Sequence, residues 1–353
     1  MKNTGKKLKK IIISILILFS ITLIHTQGIS AEEKNQITIT DSNGRTVSIN
    51  RPIERVAILN DNAAEIMRAL GVEDKIVGIH QVMQGNSYWS KDIQEKPVVA
   101  SFAEINYEML AEVQPQLVIS STTTHGVVGE QGNLRAFDIV DIKLNLRRPE
   151  LIKDEILLLG KIFDREKEAH ELLEFYQYYE DLISSTIKEI PLEDRPTIFL
   201  EYHAGDFATS GKESRFYEQT ILAGAVNIAS EFTGDYKVNA EWVIERNPDL
   251  ILREHGGALG FDISSYDLAR HVREEIMNRP GMQFTRAVQE GDVYILPIDI
   301  YSRPRYIVGV AYLAKWLYPD LFHDLNPDLI HQEYLERFQG LEYRGIWAYP
   351  EKK

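Results

Sequence analysis

The chain contains no cysteine. Disulfides are therefore excluded, with thiolate metal ligands and a nucleophilic thiol, and stability has to come from packed cores. It also lacks any apolar run of the roughly 20 residues that a membrane-spanning helix requires. The longest run, residues 11–24, covers fourteen positions and is interrupted by Ser14, Ser20 and Thr22. Positive charge is scarce, with 39 Lys and Arg against 53 Asp and Glu, for a formal net charge of −14. That balance argues against nucleic acid or an anionic membrane surface as a partner. There is no low-complexity tract and no linker of disordered composition.

What is present begins with Lys2, Lys6, Lys7, Lys9 and Lys10 ahead of the apolar run, followed by Ile29, Ser30 and Ala31 as a cleavage site. Residues 1–31 therefore read as a secretory signal peptide, and the expected location is periplasmic or extracytoplasmic. An N-terminal membrane anchor is the alternative if the segment is not cleaved. Without cysteine the leader is not of the lipid-attachment kind. Cleavage removes five lysines and no carboxylate, taking the formal charge from −14 to −19. The remaining chain of about 320 residues is long enough for two ordinary cores.

The most informative pattern is an internal echo. Residues 106–119 (NYEMLAEVQPQLVI) recur as residues 239–252 (NAEWVIERNPDLIL), with five identities displaced by 133. Those are Asn106/Asn239, Glu108/Glu241, Glu112/Glu245, Pro115/Pro248 and Leu117/Leu250. Asn is suited to cap a helix, and Glu two positions later lies in the first turn, where the helix dipole favours negative charge. Pro stops the helix, and the apolar run behind it reads as a short buried strand. One helix–Pro–strand unit used twice predicts two similar α/β lobes with a cleft between them, where small ligands bind.

The rest of the pattern agrees. Residues 36–49 alternate around Ser42, Asn43 and Gly44, a hairpin signal. Strand, helix, strand alternation follows, as in parallel sheets covered on both faces. Residues 165–189 carry apolar side chains at helical spacing, with Asp164 as the expected N-cap and a length of about 37 Å. That is long enough to bridge two lobes. The predicted organisation is a signal peptide (1–31), an N-terminal α/β lobe (32–163), a connecting helix (164–190) and a C-terminal α/β lobe (191–353).

This arrangement resembles the helical-backbone solute receptors of ABC importers, which carry ferric siderophores, haem or cobalamin. Three features carry the resemblance: Asn-x-Glu followed by Pro-x-Leu in both lobes, the segment TSGKES at 209–214, and SRPR at 302–305 heading a helix that ends Leu317, Tyr318, Pro319. The resemblance covers nearly the whole chain after the signal. It implies two Rossmann-like lobes with parallel sheets joined by one long helix. It implies capture of a metal chelate and delivery to an ABC permease driven by a separate ATPase, by a monomeric receptor with no cofactor of its own. It also implies that Glu108 and Glu241 dock onto arginines of the permease. A ferric siderophore is the favoured cargo, with cobalamin or another corrinoid and haem as alternatives.

Ligand contacts are expected where strands end and loops face the other lobe. Besides Asn60, Asp61, Ser101 and His255, the candidates in lobe one are Tyr88, Trp89, Phe102 and His125. In lobe two they are Tyr202, His203, Arg215, Tyr217, Trp242, Tyr301, Arg303 and Arg305. Arginines supply forked donors for catecholate, carboxylate or phosphate oxygens, and aromatics supply flat apolar area. Arg305 reads equally as a structural brace.

Two signals are set aside. Gly205 to Lys212 has five residues between its glycines and Glu213 where a phosphate loop needs Ser or Thr, so nucleotide is not expected there. His80, His125, His203 and His255 lie near strand ends but not at close helical spacing, so no metal site is assigned. A receptor for bare zinc or manganese stays as a rival, as does an extracytoplasmic enzyme. Glutamates in two helix first turns lack the burial that tunes a catalytic pKa, and an enzyme is not expected.

Overall fold

A computed structural model describes residues 36–122, Leu134 and residues 139–350. The signal segment and His125 lie outside the described residues. Among those described, no helix is long and apolar enough to cross a membrane.

Strands β1 (Gln36–Thr40) and β2 (Thr46–Asn50) form the expected hairpin, with Ile37 opposite Ile49 and Gly44 supplying the positive φ of the turn. Lobe one is a five-stranded sheet of β3 (Val56–Ile58), β4 (Ile76–His80), β5 (Val98–Ala100), β6 (Leu117–Ser121) and β7 (Val140–Leu144). Its order is β5-β4-β3-β6-β7, and every pairing is parallel. Lobe two contains β8 (Thr197–Glu201), β9 (Ala208–Ser210), β10 (Val226–Asn227), β11 (Asp235–Lys237), β12 (Leu250–His255) and β13 (Val293–Pro297). Here β10-β8-β12-β13 make a second parallel sheet, while β9 and β11 pair antiparallel beside it. The first strand of each lobe sits between the second strand and the repeated strand: Val56 pairs with Leu117, and Ile198 with Leu250, the equivalent residue 133 positions on. The sheets are separate, and both have their switch of strand order beside that first strand.

The helices used below are α1 (Asp61–Ala69), α2 (Tyr107–Val113), α3 (Pro149–Phe163), α4 (Glu166–Ile187), α5 (Arg215–Leu222), α6 (Ala240–Arg246), α7 (Tyr306–Leu317) and α8 (Pro327–Tyr334). The echo is structural as well as verbal. Asn106 Oδ1 accepts from the Met109 N–H at 3.0 Å, and Asn239 Oδ1 from the Trp242 N–H at 2.9 Å. Gln114 and Asn247 then end the two helices in the same left-handed conformation, each with φ 43°.

The connecting helix is α4, about 33 Å long at 1.5 Å per residue. It packs on α1 and α3 of lobe one and on α5 and α7 of lobe two. Asp164 does not cap it. Asp164 instead closes α3 in a left-handed turn, its N–H reaching the Gly160 carbonyl, and Arg165 occupies the cap position of α4. Gly160 makes that corner possible, since a Cβ there would lie 2.8 Å from the Ala169 Cβ.

One hydrophobic cluster runs from lobe one through α4 into lobe two, and a buried polar knot lies within it. Arg305 pairs with Glu65 across the seam at 3.0 Å, with side chains only 2% and 1% exposed. Tyr334 donates to the same carboxylate at 2.9 Å, and the Arg305 guanidinium lies over the Tyr88 ring at 4.4 Å. His331, fully buried beside Arg305, has its pKa pushed well down by burial and by that charge. The native state therefore refuses a proton that the unfolded chain accepts below about pH 6.5, so stability falls as pH drops below that value. His331→Gln should flatten the curve by up to about 1.4 kcal/mol per pH unit, measured by denaturant titration between pH 7.5 and 4.5. Parallel curves for the two proteins would contradict this.

Candidate functional site

The carboxyl ends of β3 and β7 in lobe one meet those of β8 and β12 in lobe two around a cluster of charged side chains. Asn60 builds the lobe-one side. Its Oδ1 accepts from the Asn62 N–H at 3.2 Å and its Nδ2 donates to the Leu144 carbonyl at 2.9 Å, which sets Asp61 in the first turn of α1. Arg303, in the turn ahead of α7, pairs with Asp61 across the cleft. The same guanidinium donates to Asn62 Oδ1 at 3.3 Å, and its Nε contacts Asp299 at 3.2 Å.

Arg147, just beyond β7, crosses from the other side and donates through Nε to the Ser302 carbonyl at 3.2 Å. Arg215 opens α5, where Ser214 Oγ accepts from the Tyr217 N–H at 3.2 Å, and its guanidinium lies over the Phe216 ring at 4.0 Å. Neither Arg147 nor Arg215 has a carboxylate in salt-bridge reach among the described residues. Burial, then the positive charges of Arg215 and Arg303, pull the Arg147 pKa down to about 10. Three guanidinium groups thus converge, and two of them make no direct ion pair among the described residues, with Asp61 and Glu254 acting on Arg147 only at longer range.

The carboxylates nearby are already engaged. Glu254 at the end of β12 lies 2.8 Å from His203 Nδ1 and accepts from Ser302. Burial pushes its carboxyl up, but His203, Arg215 and Ser302 together outweigh that and hold it below the ordinary range. Glu201 at the end of β8 accepts from Arg253 at 2.6 Å, from Arg279 at 2.6 and 2.9 Å, and from the Phe207 N–H at 2.7 Å. That buried knot fixes the loop carrying Tyr202 and His203.

Other predicted residues fall into two groups. Phe102 is 63% exposed and meets the edge of His80 at 4.8 Å. Tyr202 is half-buried and stacks on Phe216 at 5.6 Å, His203 is exposed, and Tyr217 is half-buried. Expectations at five residues are corrected. Tyr88 and Trp89 are core residues, each 5% exposed, with the Arg68 guanidinium over both rings at 4.5 and 4.7 Å. Tyr301 has no exposed surface and stacks on the buried Phe216 at 5.6 Å. Arg305 is the brace already described. Trp242 makes no contact with Arg147, Arg215 or Arg303 among the described residues; it lies on α6 between Phe232 at 5.6 Å and the Arg246 guanidinium at 3.9 Å. Sequence reasoning missed Arg147. The signal was there, an alternating apolar pattern VDIKL at 140–144 followed by Arg147 and Arg148, but β7 went unrecognised.

Glu108 and Glu241 are exposed at the second position of α2 and α6. Among the described residues, no three or more His, Asp or Glu side chains are grouped to hold a metal ion.

Two parallel-sheet lobes, a connecting helix and a charged cleft define a receptor that holds a small solute between its halves. The chain belongs to the periplasmic binding protein family, whose model matches residues 56–299. It is 25% identical to the uncharacterised ABC transporter substrate-binding lipoprotein YvrC of Bacillus subtilis, over 83% of this chain and 90% of that one. It is 23% identical to the molybdate-binding protein MolA of Haemophilus influenzae, over 87% of this chain and 92% of the relative. The petrobactin-binding protein YclQ of Bacillus subtilis is 22% identical over 82% of this chain and 91% of its own length. Among solved structures, the TroA-like periplasmic binding protein FepB of Veillonella parvula superposes with a TM-score of 0.73 at 22% identity, covering 88% of this chain and 99% of that one. The protein is therefore a substrate-binding component of an ABC transporter, working with a permease and ATPase. Its relatives are solute-binding proteins, not enzymes.

Proposed function

We propose that this protein captures an anionic metal chelate of the ferric-siderophore type outside the cytoplasmic membrane and hands it to its permease. One observation carries the reading: Arg147 and Arg215 face the cleft as buried or half-buried cations without a carboxylate partner, and Arg147 is destabilised as a cation there. A desolvated pair of forked donors suits catecholate or carboxylate oxygens. The half-buried ring of Tyr202 near Arg215, and the exposed Phe102 in lobe one, suit a ligand larger than a bare ion. The binding of petrobactin by YclQ supports the same choice. A corrinoid or haem with acidic side chains is the alternative of the same type. Molybdate, bound by MolA, is the second reading, because two free guanidinium groups also match a tetrahedral oxyanion.

In this mechanism the cargo enters between the lobes, and the α4 rod and the buried Arg305–Glu65 tie limit closure to a small movement. Glu108 and Glu241 then dock on the permease, one from each lobe, and the permease draws the lobes apart. No covalent step is needed. Glu108→Ala combined with Glu241→Ala should abolish uptake in cells carrying the permease while purified protein binds cargo unchanged. Normal transport by the double variant would remove the docking role.

A further inference from the structure

We propose that Asp61 sets the charge selectivity of the cleft: its carboxylate holds Arg303 in the place a cargo anion takes, and an anionic cargo enters by displacing it. This rests on the anion-binding reading of the arginine cluster above. Three carboxylates lie among the three guanidinium groups, and they are held differently: Asp299 contacts the Arg303 Nε at 3.2 Å from within lobe two. Glu254 is satisfied within lobe two, by His203 and Ser302. Asp61 belongs to lobe one and reaches its partner only across the cleft, 242 residues along the chain.

Every element around Asp61 contributes to its state. Arg303 faces it from the turn ahead of α7, Arg147 from beyond β7, and His80 from the end of β4. Burial would push its carboxyl up, and the charge and hydrogen bond of Arg303, with smaller contributions from Arg147 and His80, bring it below the ordinary range. Asp61 is therefore a full negative charge inside the site. A cargo anion approaching Arg303 or Arg147 meets that charge, whereas a neutral cargo meets only a polar surface. Asn62 and Asp299 keep Arg303 in position without Asp61, so the guanidinium is available once the pair opens.

A plain brace behaves differently from a competitor. Removing a brace weakens binding of every cargo, while removing a competitor strengthens binding of anions alone. Asp61→Asn keeps the side-chain shape, and the helix is capped by Asn60, so the fold is retained.

The experiment titrates the secreted protein and its variants with two hexadentate ferric complexes, a trianionic tris-catecholate and a neutral tris-hydroxamate. Asp61→Asn should bind the trianionic complex about tenfold more tightly or better, and the neutral one within about twofold of the parent. Asp61→Glu should return the parent affinity, and adding Arg303→Gln to Asp61→Asn should erase the gain. Unchanged or weaker binding of the trianionic complex by Asp61→Asn overturns the proposal, as does an equal gain for both complexes. If Arg147→Gln and Arg215→Gln weaken the trianionic complex but Asp61→Asn brings no gain, only this proposal falls. If the parent binds neither complex, the ferric-chelate reading falls and takes this one with it.

Discussion

Replacing Arg147 and Arg215 together with glutamine should weaken binding of an anionic chelate by about 10² to 10⁴-fold while leaving the protein as stable as the parent or more so. Charge-assisted hydrogen bonds contribute about 1.5–3 kcal/mol each, and the two guanidinium groups supply at least one apiece. The stability half follows from the depressed Arg147 pKa. A cation that burial and two neighbouring arginines work against is a cost to the folded state, and the neutral amide relieves it. Arg215 gives back part of that gain, because its contact over Phe216 contributes about 0.5–1 kcal/mol. Calorimetric titration and thermal melts on the same samples measure both quantities. A double variant that binds as tightly as the parent would place the cargo elsewhere.

Arg305→Met should have the largest effect on stability, a loss of about 3–5 kcal/mol, because it leaves Glu65 charged and unpaired inside the seam. Glu65→Leu with Arg305→Met should recover most of that, since an apolar pair of similar volume is often neutral or stabilising. The single variant should also melt lower by roughly 5–15 °C. A double-mutant cycle in denaturant reads the coupling. If the double replacement is no better than the single, the partners act independently and the seam is held by packing alone. The knot has a functional consequence. It ties the lobes on the side of α4 and α8, which is why the proposed mechanism limits closure of the cleft to a small movement.

Much of this architecture was legible because it was written twice. Asn106 and Asn239 cap equivalent helices at distances within 0.1 Å of each other, and both helices end at residues with φ 43°. Local signals of that kind depend on neighbours in the chain. The site depends on residues that are far apart in sequence, and there the reading was partial. Arg303 stood out because it sits between Ser302 and Pro304 ahead of a helix. Asp61 was named for its strand end, but nothing local reveals that the two meet. Tyr88, Trp89 and Tyr301 look like cleft aromatics by composition. Burial under Arg68 and against Phe216 is a tertiary fact that no pattern near them records. Asp164 illustrates the same limit at an element boundary, where a good N-cap residue took the left-handed turn that ends the preceding helix.

The most direct test of the central claim is calorimetric titration of the purified protein with a ferric tris-catecholate, a corrinoid, haem and molybdate, repeated with the Arg147→Gln, Arg215→Gln double variant. The account predicts saturable one-to-one binding of the ferric chelate by the parent and its loss in the variant, at unchanged melting temperature or above. Binding of molybdate alone, or chelate binding indifferent to both arginines, would contradict it.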